Sequence, residues 1–305
     1  MSRVGLSLKK LNDYNINSVF LDADMMVYTF GFAVESSVEW PPDDEHDDYW
    51  TEYYSDLPAA RRLIDSCVRH FKTGLNAPLV CVLTGTERNW RLDVQSDYKG
   101  RRGRKPTSWA EIRDHITRAH SAIISTDGLE ADDVLSIEAT KNENSVIVSF
   151  DKDMFTIPGL FVHLVTKRLY RGNIGQALCF LMFQALTGDR VDGYFGVTGI
   201  GPAKAKRLLL WNELSNHNIR STYLALKRAI KSHKFRADDK NLLTPEQRWK
   251  QFRSCLDLAA LVWDSEIPGS GIGMRRIWKY RNEKFHYYLP FILEEHTNKL
   301  SIGKM

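Results

Sequence analysis

No stretch of the chain approaches the length and apolarity of a membrane span, and Met1 to Leu11 is too polar for a secretory signal. Cysteine is sparse: Cys67, Cys81, Cys179 and Cys255 stand far apart among apolar neighbours, with no Cys-x-x-Cys spacing, and read as small buried hydrophobes in a reducing compartment. A soluble cytoplasmic protein without membrane attachment is the expectation. No internal repeat or low-complexity tract is present, and the nine histidines are scattered, each better read as a surface or core residue than as a catalyst. A strong excess of charge is missing too, since the net charge is only +4 and the pI about 8.7. Where the charges lie therefore matters more than their sum.

What is present is length and patterning. The 305 residues allow one large α/β domain with an extension, or two domains, and a sizeable core. Basic residues gather between Lys99 and Lys105, Lys204 and Arg207, and Lys227 and Arg236, and acids between Asp43 and Asp48. Taken singly, each run is an ordinary solvated face. Basic patches around an acidic centre suit a polyanion gripped at its flanks.

The acidic centre is Gly128 to Ser136, where Glu130, Asp132 and Asp133 crowd a helix start backed by Val134, Leu135 and Ile137. A helix N-terminus offsets only part of that crowding. Two more acidic pairs follow short apolar runs: Ser18 to Leu21 leads into Asp22-Ala23-Asp24, and Ser145 to Phe150 into Asp151-Lys152-Asp153. Such runs predict buried strands of a largely parallel sheet, with the acids beyond the carboxyl ends where ligands bind. Asp189 and Asp192 form a fourth pair after the apolar segment Ala177 to Leu186. Brought together, these carboxylates need cations, and an all-oxygen set selects Mg²⁺ or Mn²⁺.

Further elements fall between them. Met25 to Phe32 and Ala59 to Lys72 predict helices, Leu79 to Leu83 a second strand, and Ile123-Ile124 and Phe161 to Val165 further strands. Strands alternating with helices give a doubly wound α/β fold, whereas from Gly175 onward the pattern is almost wholly helical, with Ser232 to Lys250 as a polar linker or loop. Glu35 to Leu57, acidic and aromatic, reads as a surface excursion with no assigned role. Tyr98 to Pro106 is basic and glycine-broken, and Ser108 with Glu111 forms a capping box that would start the next helix. Gly196 to Arg207 holds a turn at Gly199 and Gly201, then Pro202 at a first helical position and Lys204, Lys206 and Arg207 on the helix. Exposed amides and lysines of this kind grip phosphates without reading bases.

These segments resemble, in order, the motifs of the flap endonuclease and 5′→3′ exonuclease family, most of all the exonucleases of short-tailed bacteriophages. The motifs are Leu21 to Asp24, Asn89-Trp90-Arg91 with Tyr98-Lys99, Leu129 to Asp133, Ser149 to Asp153, and Thr187-Gly188-Asp189 through the glycine turn; they cover about residues 18 to 210. The resemblance implies a Rossmann-like (PIN-like) α/β nuclease core over 1–170 with a basic arch near 98–120. It also implies a mostly helical DNA-binding region over 171–305 with a helix-hairpin-helix near 188–210, where K⁺ often binds. By position, Asp22, Glu130 and Asp132 match one metal site, and Asp151, Asp153, Asp189 and Asp192 a second, with Asp133 beside both as a catalytic group. Lys99 and Arg102 match the cations that polarise the scissile phosphate, and Arg101, Arg104 and Lys105 join the hairpin residues as DNA contacts. Where the family usually has an Asp after the second strand, this chain has Thr84-Gly85-Thr86-Glu87; either Glu87 reaches a metal or the ligand set is thinner.

Two Mg²⁺ ions about 4 Å apart would then support in-line phosphodiester cleavage without a Ser, Cys or His nucleophile. The implied substrate is duplex DNA with a 5′ end or flap, with RNA-DNA hybrids left open. Two other classes compete. A strand ending in Asp22-Ala23-Asp24 also suits a phosphatase of the haloacid-dehalogenase type, and the glycine turn alone would suit a non-catalytic duplex-binding module.

Overall fold

The computed structural model describes residues 14–142, 144–209, 219–232 and 243–261, with short strands at 263–264, 275–276 and 287–289. In chain order it runs β1 (Ser18–Asp22), α1 (Ala23–Ala33), β2 (Glu35–Trp40), β3 (Trp50–Ser55), α2 (Leu57–Leu75), β4 (Leu79–Leu83), α3 (Trp109–Ala119), β5 (Ala122–Ile124), α4 (Ala131–Lys141), β6 (Ser145–Ser149), β7 (Gly159–His163) and β8 (Leu169–Gly172). The helices α5 (Ile174–Thr187), α6 (Pro202–Leu208), α7 (Ile219–Ser232) and α8 (Pro245–Ala259) follow.

Six strands form one sheet in the order β5-β4-β1-β6-β7-β8, parallel except for the antiparallel edge strand β8. Alternate residues divide between its faces, as strand geometry requires. Val19, Leu21, Cys81, Val146 and Val148 bury on one side with Met26 of α1, Ile64 and Phe71 of α2, and Ile112 of α3. Phe20, Val82, Ile147 and Phe161 bury on the other, under Ala131 and Leu135 of α4. Both faces are covered, so the central strands read as continuous apolar runs, and the doubly wound architecture expected from them is the one found.

Three expectations change, and the expected surface excursion takes a definite form. β8 ends at Gly172, so the sheet runs past the expected boundary at residue 170. Glu35 to Ser55 is a regular hairpin, β2 pairing with β3 from Glu35↔Ser55 to Trp40↔Trp50, with the two tryptophan rings stacked 6.1 Å apart. Ser108 makes no side-chain cap to α3, because its hydroxyl instead accepts a 2.8 Å hydrogen bond from Ser55 at the end of that hairpin. Finally, α8 begins at Pro245, capped by Thr244, inside the expected linker, and the strands at 263–264, 275–276 and 287–289 form a small sheet where helix was expected. Their aromatic content favours that state, with Trp263, Tyr287 and Tyr288 among seven residues. The rest of the linker, 233–242, and the part of the basic run beyond residue 232 lie outside the described residues.

The C-terminal helices do not hang from a tether. Trp90, Tyr98 and Ile137 share one apolar core with Leu181, Leu186, Phe252 and Leu256 of α5 and α8. Among the described residues no helix is long and apolar enough to cross a membrane.

Candidate active site

Register brings the first carboxylates together. Leu21 pairs with Val148, so Asp22 at the end of β1 lies beside Ser149 at the end of β6. The Ser149 hydroxyl donates to Asp22 at 2.7 Å and accepts the amide of Asp151 at 3.0 Å, fixing both acids against one side chain. Asp22 also caps α1 through the Met25 amide. Asp132, in the first turn of α4, faces the same place from the opposite helix. Burial pushes the Asp22 carboxyl up to about 7, with the charges of Asp24 and Asp151 adding to the effect and hydrogen bonds from Ser149 and Met25 opposing it. Burial, Asp22 and Asp151 likewise push Asp132 well above the carboxylate range. Carboxylates that raise one another in this way are short of positive charge.

They line a cleft of about 500 Å³, together with Glu130 and the cations Lys99, Arg102 and Lys105. Lys99 and Arg102 lie on a run of turns and not on one helix, Lys99 having φ +57°, yet both reach the cleft. The Lys99 ammonium pairs with Glu130, and the Arg102 guanidinium donates to Asp192 at 2.9 Å. Burial raises the Glu130 carboxyl, but Lys99 and Arg91 more than reverse this and leave it at about 2.

A second acidic group adjoins. The Lys152 ammonium lies between two carboxylates, 3.0 Å from Asp153 and in contact with Asp189. Asp153 is raised to about 6 by burial and by Asp151 in spite of that contact, whereas at Asp189 burial is outweighed by the Lys152 hydrogen bond and charge together with the Val191 and Asp192 amides, and the carboxyl is lowered. Gly188 and Gly196 hold this loop shut: both have positive φ, and a Cβ on Gly188 would fall 2.4 Å from the Gly196 nitrogen. Asp189 and Tyr194 then bond backbone to backbone between them.

Some expected residues are placed differently. Asp133 does not line the cleft: it is fully buried and grips Arg91 with both oxygens at 2.8 Å. Arg91, also buried, donates further to Glu130 and to the carbonyls of Leu258 and Ala260, which ties α4 to the end of α8. Arg104 pairs with Glu35 and stacks 3.6 Å from the Tyr53 ring, so it holds the β2–β3 hairpin. Arg101 lies 5.7 Å from the Phe195 ring, and Lys105 3.7 Å from that of Trp109. Glu87 accepts the Gly128 amide at 2.9 Å and does not line the cleft. The acid at the end of β4 is Asp24, which accepts the Thr84 amide at 3.0 Å and the Arg113 guanidinium at 2.8 Å. Gly199 has the positive φ expected of the turn, while Gly201 is an ordinary extended cap of α6, from which Lys206 and Arg207 stand exposed. Lys204 reaches back to the Gly199 carbonyl at 3.4 Å.

Comparison with known proteins agrees with this geometry. Residues 51–174 match the 5′-3′ exonuclease N-terminal, resolvase-like domain. The exonuclease of Escherichia phage T7 is 29% identical over 195 residues, covering 59% of this chain and 63% of its own length. Flap endonuclease Xni of Shewanella denitrificans is 32% identical over 185 residues, covering 50% of this chain and 69% of its own. A solved structure of T5 5′-exonuclease with zinc bound shares the fold at a TM-score of 0.54 and 16% identity, over 80% of this chain and 90% of that one. The chain thus spans less than two thirds of the phage T7 relative, but more than two thirds of Xni. It belongs to the 5′→3′ exonuclease and flap endonuclease family.

Proposed function

We propose that this chain is a divalent-metal-dependent 5′→3′ exonuclease and flap endonuclease that hydrolyses phosphodiester bonds of DNA, in the setting of phage DNA replication in the host cytoplasm. The observation that carries the proposal is the Asp22, Asp132 and Asp151 cluster, in which Asp22 is buried, Asp132 and Asp151 are half-buried, the neighbouring charges raise Asp22 and Asp132, and Lys99 and Arg102 line the same cleft. Its donor set is oxygen only, which fits Mg²⁺ or Mn²⁺. Asp22, Asp132 and Asp151 with Glu130 would hold one ion, and Asp153, Asp189 and Asp192 the other; the pairing of Lys152 with Asp153 and Asp189 supports this reading as a local demand for positive charge. Bound there, divalent ions supply Lewis acidity toward a phosphodiester. Lys99 and Arg102 grip and polarise the scissile phosphate, Asp133 positions Arg91 and through it Glu130, and Lys105 and Arg101 line the approach. Lys204, Lys206 and Arg207 take the duplex backbone beside the Gly199 turn, where K⁺ is part of the same proposal.

A phosphoaspartate reaction fits less well, because Asp24 is engaged by Arg113. The test is cleavage of a 5′-flapped duplex in Mg²⁺. Asp151→Asn and Asp132→Asn should each abolish cleavage while duplex binding stays nearly intact. Turnover near the wild-type rate in either variant at saturating Mg²⁺ would remove the two-metal assignment.

A further inference from the structure

Outside the cleft one cluster has a different chemistry. Asp65 projects from the middle of α2, His115 from the last turns of α3, and His120 from the residue that closes α3. Each imidazole Nε2 lies 2.8 Å from the same oxygen, Asp65 Oδ1, and the two rings stand edge to face with centroids 5.9 Å apart. The three ligand atoms are all within 4.8 Å of one another. The histidine side chains are mostly covered, at 16% and 17% exposure, while that of Asp65 is 37% exposed. None of the three lines the carboxylate cleft.

With a hydrogen on each Nε2, this is a pair of hydrogen bonds into one oxygen. With those hydrogens gone, the same atoms are two imidazole nitrogens and a carboxylate converging from two helices. Tetrahedral zinc with bonds of about 2.0–2.1 Å sets its ligand atoms about 3.3 Å apart. Each nitrogen would have to move about 0.5 Å away from Asp65 Oδ1 to reach that spacing, and the exposed side of Asp65 leaves a coordination position open to water.

We infer that Asp65, His115 and His120 form a transition-metal site of the Zn²⁺ class that pins α2 to α3. Imidazole donors separate it from the oxygen-only cleft, since they favour zinc over Mg²⁺. The consequence reaches the cleft through the backbone of α3, which carries Arg113 and with it the hold on Asp24 and the Thr84 carbonyl.

The experiment titrates the full chain with Zn²⁺, and separately with Co²⁺, in excess Mg²⁺ so that the oxygen sites are filled. The control is the double variant His115→Gln with His120→Gln, whose side-chain amides retain N–H donors for Asp65 but are poor zinc ligands. Wild type should bind one more Zn²⁺ per chain than the double variant, and its Tm should rise with Zn²⁺ while that of the variant does not. Cobalt should give the strong visible absorption of a four-coordinate nitrogen site in wild type only. Loss of metal-ligating histidines should weaken zinc at least about 10- to 100-fold, the cost already known for outer-shell partners. Equal zinc stoichiometry and equal cobalt spectra in the two proteins, or no zinc retained by wild type, would overturn the site.

Discussion

Replacing Arg91 by methionine should be among the most damaging single changes available in the described residues. The guanidinium is 1% exposed and makes five side-chain hydrogen bonds: two to Asp133, one to Glu130, and one each to the Leu258 and Ala260 carbonyls. Arg91→Met keeps much of the volume but takes from the fully buried Asp133 carboxylate both of its 2.8 Å guanidinium hydrogen bonds and the opposite charge that accompanies them. Removing one member of a buried pair costs about 3–5 kcal/mol, because the other charge remains desolvated. Asp133→Asn in the same background removes that stranded charge, so the double variant should be more stable than Arg91→Met alone. The assay is urea unfolding of the four proteins of the cycle, followed as the shift in midpoint at constant m. A coupling of about 0.5–3 kcal/mol is expected between residues in direct contact. A loss below about 1 kcal/mol for Arg91→Met, the scale of exposed pairs, would refute the reasoning. So would single losses that sum to the double within about 0.5 kcal/mol.

Three further outcomes follow from the site. Metal-free protein should lose stability as pH rises from about 4 to about 7: Asp22 and Asp153 have folded values raised to about 7 and 6, so the fold holds protons that the unfolded chain has released. Added Mg²⁺ should abolish that decline, and a flat metal-free profile across the window would contradict it. Glu130, lowered to about 2, has the opposite sign, and its contribution should vanish only as pH falls from about 4.5 through 2. Lys204→Ala with Lys206→Ala should weaken all duplex sequences alike and reduce the salt slope by about one unit per lost phosphate contact, whereas unchanged slope and affinity would make the turn structural only. Lys99→Ala should slow single turnover at saturating DNA by roughly a hundredfold to a thousandfold, and a defect that low salt repairs fully would reduce Lys99 to a steering charge.

The central strands were legible because burial on both faces leaves an unmistakable run, as in Ser145 to Ser149, every residue of which is buried. The β2–β3 hairpin was not, because five of the six residues of β2 are exposed and no apolar alternation marks a solvated ribbon. Its pairing rests on cross-strand contacts such as Trp40 with Trp50, which become visible only once the turn is known. At the site, the acids announced themselves by following strands, whereas their neutralisers did not. Lys152 reads as a spacer between two aspartates, and its second partner, Asp189, is 37 residues away. Arg91 belongs to a recognisable motif, yet its partners at Leu258 and Ala260 come from the far end of the chain. The role expected of Asp133 shifted for the same reason, since sequence spacing cannot distinguish an acid facing a cleft from its neighbour facing an arginine.

The hairpin has an effect on traffic around the molecule. Residues 35–55 carry eight acidic side chains and neither Lys nor Arg. Glu35 fastens this ribbon, through Arg104 and Thr107, to the segment that also supplies Lys105 and Arg102 to the cleft. A polyanion drifting toward those cations meets repulsion on the hairpin flank, so encounters are funnelled from the remaining directions. The bias reaches about one Debye length, roughly 8 Å at physiological salt and about 30 Å at 0.01 M. Ionic strength thereby governs the width of the open sector as well as the strength of attraction within it.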